Sequence, residues 1–225
     1  MAFVDYQKAF DRVNHEKLVE VMKKAGILEL EQRLIINLYW NQYATVRTRE
    51  GKSRRICIRR GVRQGCIISP ILFNLYSEYM MKEAIEEARG ITINGKNLNN
   101  LRHADDAVLI NEMENQLQMM LDKVNETCKE YKMDINVKKT KVMVISKMND
   151  GKCECSINGV KLEQVTHYKY LGSIITEDGR YVKEIKARIA MAKAAFWKHK
   201  ELLRGNLRLE TKKRILQCYV FPVVK

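Results

Sequence analysis

Three carboxylates that border apolar runs are the residues of this chain best suited to do chemistry. Asp5 ends the run Ala2–Val4, and the adjacent pair Asp105 and Asp106 separates two apolar, strand-like segments. Neighbouring side chains of a strand point to opposite faces, so an adjacent pair is best held near one point at a tight turn. The usual reason for such convergence is a divalent cation, which cancels the repulsion that would otherwise raise one carboxyl pKa. Carboxylates with few other ligand types suit Mg²⁺, a hard ion that prefers oxygen.

The segments around these carboxylates predict the strands that position them. Residues 2–6 are typical of a short buried strand, and 98–103 and 107–110 are typical of the two arms of a hairpin around the aspartate pair. Residues 43–60 alternate in polarity around a Gly-containing turn, which predicts a second hairpin. An isolated Asp-Asp pair is more commonly a solvated turn, so the metal-site interpretation depends on the motifs described below.

Polar caps predict where the helices begin. Asn14 and Ser69 each precede an apolar periodic segment, and Pro70 stands in the first turn of the second one. A long helix is predicted over 112–132, with Asn111 and Glu114 as a capping box. The order of strands and helices, with tight hairpins between them, predicts an α+β fold in which an antiparallel sheet is packed on helices.

The charge of the chain predicts a polyanionic partner. Its 41 Lys and Arg residues outnumber 27 Asp and Glu residues, so the formal net charge is +14. Residues 47–63 carry eight basic side chains against one acid, and residues 180–214 carry twelve against three. A charge run is usually a solvated face, but runs of a single sign weaken that interpretation.

Cysteine usage and hydropathy limit the setting in which the chain works. Six cysteines in 225 residues favour free thiols in a reducing compartment over a disulfide scaffold, so we expect an intracellular protein of the nucleus or cytoplasm. Cys153 and Cys155 lack a second pair at zinc spacing, which disfavours structural zinc. No apolar run approaches the ~20 residues of a membrane helix, and we expect no membrane partner.

Five sequence blocks occur in an order that is characteristic of one enzyme family. The blocks are Phe3-Val4-Asp5-Tyr6-Gln7-Lys8-Ala9-Phe10-Asp11, Gly61-Val62-Arg63-Gln64-Gly65-Cys66-Ile67-Ile68-Ser69-Pro70-Ile71-Leu72-Phe73-Asn74, His103-Ala104-Asp105-Asp106, Ile135-Asn136-Val137-Lys138-Lys139-Thr140 and Tyr168-Lys169-Tyr170-Leu171-Gly172-Ser173. Together they resemble the motifs of reverse transcriptases, and more closely those of non-LTR (LINE-type) retrotransposons. The resemblance covers about residues 2–176 well and the basic tail more loosely.

The resemblance implies a polymerase palm and two-metal nucleotidyl transfer to a primer 3′-hydroxyl. Asp5 and Asp105 would bridge two Mg²⁺ ions, with Mn²⁺ as an alternative, and Asp106 would assist. Lys139 resembles the lysine that protonates the departing pyrophosphate, although Lys138 and Lys141 compete for this role. The implied partners are an RNA template, a DNA primer and deoxynucleoside triphosphates.

Further roles are implied by the position of residues within the blocks. Phe10 would be the steric gate beside the ribose 2′ position, with a core phenylalanine as the alternative. Tyr6, Gln64 and Gly65 would lie beside the incoming nucleotide, where Gly65 lets the backbone approach closely. The template and primer would meet a separate set of residues: Arg63, His103, Tyr170, Leu171 and Gly172.

The resemblance also predicts the organisation of the chain. A break near residues 177–179 suggests a palm over 1–178 and a helical, basic partial thumb over 179–225. The upstream fingers and an endonuclease domain are expected to be absent, and the chain is expected to end within the thumb. His103 departs from the family, which usually has Tyr or Phe at this position.

Two other functions compete with a polymerase. The first is a non-catalytic nucleic-acid-binding remnant that keeps its metal ligands, and the sequence does not decide between this and an active enzyme. The second is a maturase-like splicing factor, which the second block fits poorly. Because the upstream segment is expected to be missing, the chain alone is expected to bind primer–template in a salt-dependent way and to extend it poorly.

Overall fold

The computed structural model describes residues 1–49, 51–146 and 151–224, which form two compact units. The first unit comprises Met1–Val142 with Cys153–Gln164, and the second comprises Met143–Lys152 with Val165–Lys225. The predicted boundary near residue 178 differs from this division, which separates the chain after Gln164. The segment that follows Gln164 joins the C-terminal helices because the hairpin within it packs on the first of them.

The first unit contains thirteen strands and five helices among its described residues. The strands are β1 (Ala2–Val4), β2 (Gln42–Ala44), β3 (Arg47–Thr48), β4 (Gly51–Lys52), β5 (Ile56–Ile58), β6 (Ile91–Ile93), β7 (Lys96–Leu98), β8 (Asn100–His103), β9 (Asp106–Leu109), β10 (Lys141–Val142), β11 (Ser156–Ile157), β12 (Val160–Lys161) and β13 (Glu163–Gln164). The helices are α1 (Ala9–Arg12), α2 (His15–Lys24), α3 (Glu29–Tyr39), α4 (Ser69–Ile85) and α5 (Glu114–Glu130).

A five-stranded sheet carries the predicted carboxylates, in the order β13-β10-β1-β9-β8. The central strand β1 pairs antiparallel with β9 through Phe3 and Val108, and antiparallel with β10 through Phe3 and Lys141. All three residues of β1 are buried, as expected for a strand with a neighbour on each side. The predicted α+β fold is confirmed, although the edge pair β10–β13 is parallel and the sheet is therefore mixed.

The helices of the first unit meet through buried aromatic and apolar side chains. The rings of Tyr76 on α4 and Tyr131 after α5 stand edge to face at 5.2 Å between centroids, and the Tyr76 hydroxyl donates to the Tyr131 carbonyl. Phe73, Met80 and Leu121 are fully buried between the same elements. This core supports the sheet from which the carboxylates project.

One predicted cap is confirmed and two are wrong. Asn14 Oδ1 accepts the Lys17 N–H at 2.9 Å and begins α2 as expected. Ser69 does not cap α4, because its hydroxyl is buried against the Tyr39 hydroxyl at 2.9 Å. The capping box before α5 does not form, because the Glu114 carboxylate instead accepts the backbone N–H of Glu154 at 2.5 Å.

The second unit begins with a hairpin and continues as helices. Its elements are β14 (His167–Tyr170), β15 (Ser173–Thr176), α6 (Val182–Lys198), α7 (Lys200–Arg204), α8 (Leu209–Tyr219) and α9 (Phe221–Val224). The Ile174 N–H donates to Glu184 Oε2 at 2.8 Å, which fastens β15 to α6. The helices α6, α7 and α8 confirm the predicted helical character of residues 180–214, which carry twelve basic side chains against three acids. No described helix combines the length and the apolar character needed to cross a bilayer.

Candidate active site

The two adjacent aspartates lie at a tight hairpin, as the sequence predicts. His103 and Asp106 form the last register pair of β8 and β9, which leaves Ala104 and Asp105 as the two turn residues. Ala104 has a φ of 52°, a left-handed backbone that is uncommon for a residue other than glycine. Both aspartates are exposed at the tip of this hairpin, where their oxygens are open to a ligand.

Asp5 reaches the same place from the neighbouring strand. Val4 and Ala107 are the last register pair of β1 and β9, so Asp5 and Asp106 occupy the next position on two adjacent strands. The pKa of Asp106 is raised, first by partial burial and then by the negative charges of Asp105 and Asp5, while His103 opposes the shift. Asp5 and Asp105 therefore both lie close enough to Asp106 for their charges to act on it.

The backbone around Asp5 is held by the segment that precedes β10. Its N–H donates to Thr140 Oγ1 at 3.3 Å, and its carbonyl accepts the Asn136 N–H at 2.7 Å. Thr140 is fully buried, so the hydroxyl that receives this N–H is itself fixed by packing. Asp5 Oδ2 is buried and has no hydrogen-bond partner within the described part of the chain.

An orphaned carboxylate oxygen of this kind fits a metal ion. A buried carboxylate oxygen without a hydrogen-bond donor is costly, and a cation beside it would remove that cost. The described residues contain no three His, Cys, Asp or Glu side chains already arranged as a metal cage. An open arrangement is what Mg²⁺ sites use when substrate phosphates and water complete the coordination. Asp5, Asp105 and Asp106 are the residues that would hold such an ion.

The structure distinguishes among the three candidate lysines. Lys139 Nζ lies 4.0 Å from Asp5 Oδ2 on a side chain that is 72% exposed. Lys141 is committed elsewhere, because its Nζ contacts Glu163 Oε2 at 2.5 Å and donates to the Lys138 carbonyl at 2.8 Å. Of the three lysines, Lys139 is therefore the one whose ammonium the structure places beside a predicted carboxylate.

A basic cavity of about 900 Å³ adjoins this lysine. The residues lining it are Tyr6, Gln7, Lys8, Asp11, Arg12, Cys57, Ile58, Arg59, Arg60, Asn136 and Lys139. Five of these eleven side chains are cationic, against the single carboxylate of Asp11. Arg12 pairs with Asp134, and Lys139 lies 4.0 Å from Asp5 Oδ2. The other three cations, Lys8, Arg59 and Arg60, have no carboxylate pair among the described residues. An anionic ligand such as a phosphate chain would complement this lining.

Two aromatic residues of the first sequence block, Tyr6 and Phe10, differ in their burial. The Tyr6 ring is buried with its hydroxyl against Met81 Sδ at 3.4 Å, so the prediction of a nucleotide contact is restricted to its backbone. Burial also raises the pKa of the Tyr6 hydroxyl well above its ordinary value. Phe10 is half-buried and stacks on Phe73 at 4.6 Å between centroids. Part of the Phe10 side chain therefore remains accessible, and its role as a steric gate stays a prediction.

The loop of the second block is anchored at its start to the first block. Gly61 N–H donates to the Val13 carbonyl and Val62 N–H donates to the Phe10 carbonyl, each at 2.8 Å. The Gly61 carbonyl lies 2.8 Å from Nε2 of His15, a side chain that is only 5% exposed. These three contacts fix the distance between the loop and the strand that carries Asp5.

The predicted residues of this loop separate into anchored and open positions. Arg63 Nε donates to Gln42 Oε1 at 3.0 Å and Nη2 donates to the Leu38 carbonyl at 3.4 Å, so its guanidinium is partly committed to the protein. Gln64 and Gly65 are exposed, and Gly65 has a φ of 84° with no atom within 4 Å of where a Cβ would stand. The open positions are thus the ones predicted to meet a nucleotide.

The other predicted contacts fall at two hairpin tips. His103 is exposed next to the aspartate turn. Tyr170, Leu171 and Gly172 form the end of the β14–β15 hairpin in the second unit, where Leu171 and Gly172 have φ values of 48° and 86°. Their roles toward template and primer stay predictions.

Three residues of the site were missed by reasoning from the sequence. They are Thr140, which receives the Asp5 N–H, Gly61, which packs on Asp11, and His15, which contacts the Gly61 carbonyl. For His15 the sequence offers a weak local signal, because this histidine directly follows the cap Asn14 and lies on the apolar face of α2. The other two depend on contacts between distant segments.

Comparison with known proteins identifies the family. The model of the family described as "Reverse transcriptase (RNA-dependent DNA polymerase)" matches residues 1–175. The chain belongs to the reverse transcriptase family. Divalent metal ions are generally used in this family, in agreement with the orphaned oxygen of Asp5.

Curated relatives support the non-LTR assignment. The Pol polyprotein of the type-1 retrotransposable element R2 of Nasonia vitripennis is 28% identical over 84% of the chain and 19% of the relative. The RNA-directed DNA polymerase from mobile element jockey of Drosophila funebris is 26% identical over 98% of the chain and 24% of the relative. The predicted resemblance to LINE-type reverse transcriptases is confirmed, and the chain spans about a fifth to a quarter of the length of these relatives.

Solved structures share the fold. Telomerase from Candida tropicalis, in complex with a fragment of telomeric RNA, superposes with a TM-score of 0.57 at 17% identity. The match covers 99% of this chain and 37% of the telomerase chain. At this level of identity the likeness concerns the fold of this reverse transcriptase and not its ligands.

Proposed function

We propose that this chain is the catalytic portion of an RNA-directed DNA polymerase from a LINE-type retroelement. The observation that carries the proposal is the buried, unpartnered Oδ2 of Asp5 beside Asp105 and Asp106. That oxygen lies 4.0 Å from Lys139, a residue that also lines the basic cavity. A cation site next to a phosphate-sized basic cavity is the arrangement that phosphoryl transfer requires.

Asp5 and Asp105 would hold two Mg²⁺ ions, with Asp106 assisting, and Mn²⁺ is the alternative ion. Bound there, the ions would lower the pKa of the primer 3′-hydroxyl and neutralise charge on the departing pyrophosphate. The protein contributes position: Thr140 fixes the backbone of Asp5, and the hairpin turn at Ala104 holds Asp105. Preorganised carboxylates of this kind reduce the reorganisation needed when the substrates arrive.

The basic cavity would bind the triphosphate of a deoxynucleoside triphosphate. Lys8, Arg59 and Arg60 offer cationic donors to its phosphate oxygens. Lys139 would give a proton to the leaving pyrophosphate, because its exposed ammonium lies between the carboxylates and the cavity. The half-buried edge of Phe10 would limit the space beside the ribose 2′ position.

The proposed partners are an RNA template and a DNA primer, bound mainly through phosphates by the basic surfaces of the chain. We place this activity inside the cell, in the nucleus or the cytoplasm. All six cysteines are free thiols, which supports a reducing compartment.

Single-turnover primer extension tests the proposed function. With the chain in excess over an RNA template annealed to a DNA primer, we expect slow addition of the templated deoxynucleotide that requires Mg²⁺ or Mn²⁺. Asp5→Asn should abolish the addition, since it removes the carboxylate whose oxygen is unpartnered. Asp122→Asn, the same chemical change at an exposed position of α5, is the control and should leave the addition in place. Wild-type addition no faster than that of Asp5→Asn would favour the non-catalytic remnant.

Phe10→Val tests the steric gate in the same assay. The change removes the ring that would meet a 2′-hydroxyl, so ribonucleotide addition should rise relative to deoxynucleotide addition by about tenfold or more, a gain worth ~1.4 kcal/mol in the transition state. Phe73→Leu, which alters the stacking partner of Phe10 without widening the nucleotide side, is the matched comparison. An unchanged preference in Phe10→Val would return Phe10 to a role in the core.

A further inference from the structure

The hairpin between α3 and the second sequence block forms a ribbon with an exceptional surface. Residues 42–58, called here the arginine ribbon, contain β2 paired with β5 and, beyond them, β3 paired with β4. Every described residue from Tyr43 to Cys57 is exposed. The ribbon is therefore covered by nothing in the described first unit, and its stability does not come from a buried apolar face.

The basic side chains of the ribbon lack carboxylate partners among the described residues. The ribbon carries Arg47, Arg49, Lys52, Arg54 and Arg55, and none of them forms an ion pair with a described residue. Some other surface bases of the unit do pair with acids, as in the contacts Lys24–Glu83 at 2.6 Å and Arg102–Glu78 at 2.8 Å. The one acid of the ribbon, Glu50, lies outside the described residues.

The register of the ribbon places like charges together. Arg47 and Lys52 are direct cross-strand partners in β3–β4. Like charges directly opposite each other destabilise a strand pair, and a bound anion would reverse the sign of that contribution. The ribbon tip is therefore built at a cost to its own stability that a bound polyanion would remove.

An exposed aromatic ring indicates which polyanion fits. Tyr43 is 57% exposed, and the Arg55 guanidinium lies 5.3 Å from its ring centroid on the diagonal of the β2–β5 pair. An aromatic ring with an arginine beside it, within a row of cations, is the combination that binds unpaired bases and their phosphates. A duplex offers phosphates but no free base face to such a ring.

The base of the ribbon opens into the basic cavity. Cys57 and Ile58 line that cavity together with Arg59 and Arg60, which continue the same strand. Gln42, at the other edge of the base, receives the Arg63 N–H at 3.0 Å and so connects the ribbon to the loop of Gln64 and Gly65. A strand lying along the ribbon would end at the nucleotide site.

We infer that the arginine ribbon is a docking surface for single-stranded nucleic acid. A strand bound along the ribbon would extend toward the basic cavity. The assignment of that strand as the RNA template rests on the proposed function. The surface itself is argued from charge, register and exposure, and its binding needs neither metal nor nucleotide.

The first test measures binding of the full chain to a fluorescent 20-mer of single-stranded RNA across a salt series, without divalent metal. Arg47→Ser/Lys52→Ser should lower the slope of log K against log salt by about 1.4, since each lost single-strand phosphate contact removes ~0.7. Lys96→Ser/Lys123→Ser removes two exposed lysines from the same unit, one of them in another hairpin, and is the control for net charge. Equal changes in the two double variants would overturn the inference.

The second test separates single strands from duplexes. Tyr43→Ala should weaken the RNA 20-mer about fivefold or more and leave a duplex of the same length unchanged, because only unpaired bases stack. Tyr43→Phe, which keeps the ring, should bind as the wild type does. Equal weakening of both ligands by Tyr43→Ala, or no weakening of either, would overturn the single-strand assignment.

A measurement on the wild-type chain tests the RNA-binding surface without depending on the folding of any variant. Ultraviolet cross-linking of the same RNA should map to the peptide that contains residues 42–58, and cross-links confined to other peptides would overturn the inference. A chain that binds RNA through the ribbon but fails to extend a primer would contradict the proposed function and leave the ribbon assignment intact.

Discussion

Replacing Asp105 with asparagine is expected to abolish the stabilisation that Mg²⁺ or Mn²⁺ gives to the folded wild-type chain. A ligand that binds only the native state at a hundredfold excess over its Kd stabilises that state by about 2.7 kcal/mol. For a chain of this size that corresponds to a rise in Tm of roughly 5–10 °C. The variant lacks one of the carboxylates that would hold the ion, so its Tm should not respond to metal.

Without metal, Asp105→Asn is expected to affect the stability of the fold in the opposite direction. Partial burial, and then the negative charges of Asp105 and Asp5, raise the pKa of Asp106, so both neighbouring carboxylates oppose its ionisation when no cation is bound. Removing one charge relieves this repulsion, so Asp105→Asn without metal should be at least as stable as the wild type. The variant and the wild type should therefore exchange their order of stability when metal is added.

Thermal melting with and without metal checks both statements. Asp122→Asn makes the same chemical change at an exposed position of α5, where the carboxylate accepts Gln118 Nε2 at 2.8 Å, and should keep the full metal response. A metal-induced shift of equal size in Asp105→Asn and in the wild type would remove the assignment of the metal site.

Gly61→Ala is expected to destabilise the first unit by about 2–5 kcal/mol, the sum of a conformational and a packing contribution. Gly61 has a φ of 95°, which costs a residue with a Cβ roughly 1–2 kcal/mol. A Cβ there would also lie 2.9 Å from the Asp11 carbonyl oxygen and 3.0 Å from the Asp11 Cα, both of them backbone atoms. Overpacking of this kind typically costs a further ~1–3 kcal/mol, because the backbone itself must move.

Gly65→Ala isolates the part of this effect that comes from packing. Gly65 has a φ of 84° but no atom within 4 Å of the position that a Cβ would occupy, so only the conformational cost of about 1–2 kcal/mol applies. Urea unfolding of the two variants measures the difference. If Gly61→Ala proved no less stable than Gly65→Ala, the close packing of the second block against Asp11 would not contribute to the site.

Local signals in the sequence predicted the parts of the site that are local in the chain. The aspartate hairpin needs only two strand-like arms and a two-residue turn, and it forms where predicted with His103 opposite Asp106. The cap at Asn14 likewise depends on contacts within one turn of helix. The family resemblance added the roles of residues such as Phe10 and Gln64, which residue type alone does not specify.

Other local signals failed where a distant segment offered a better partner. The Glu114 carboxylate binds the backbone of Glu154 and not the start of its own helix, and the Ser69 hydroxyl binds Tyr39. Each of these hydrogen bonds satisfies a polar group that packing has drawn away from water. Such partners lie 30 or more residues away, so no local pattern indicates them.

The sequence by itself determined which side chains can do chemistry here: three carboxylates, a lysine-rich segment and an excess of positive charge. Only the tertiary structure decided how they combine. The register of β1 against β9 brings Asp5 beside Asp106 across about a hundred residues, and Thr140 fixes its backbone. Lys141 pairs with Glu163, whereas the ammonium of Lys139 lies 4.0 Å from Asp5 Oδ2. These outcomes depend on strand pairing and on competition for partners in space, because hydrogen bonds and charges act over distances that the order of residues does not specify.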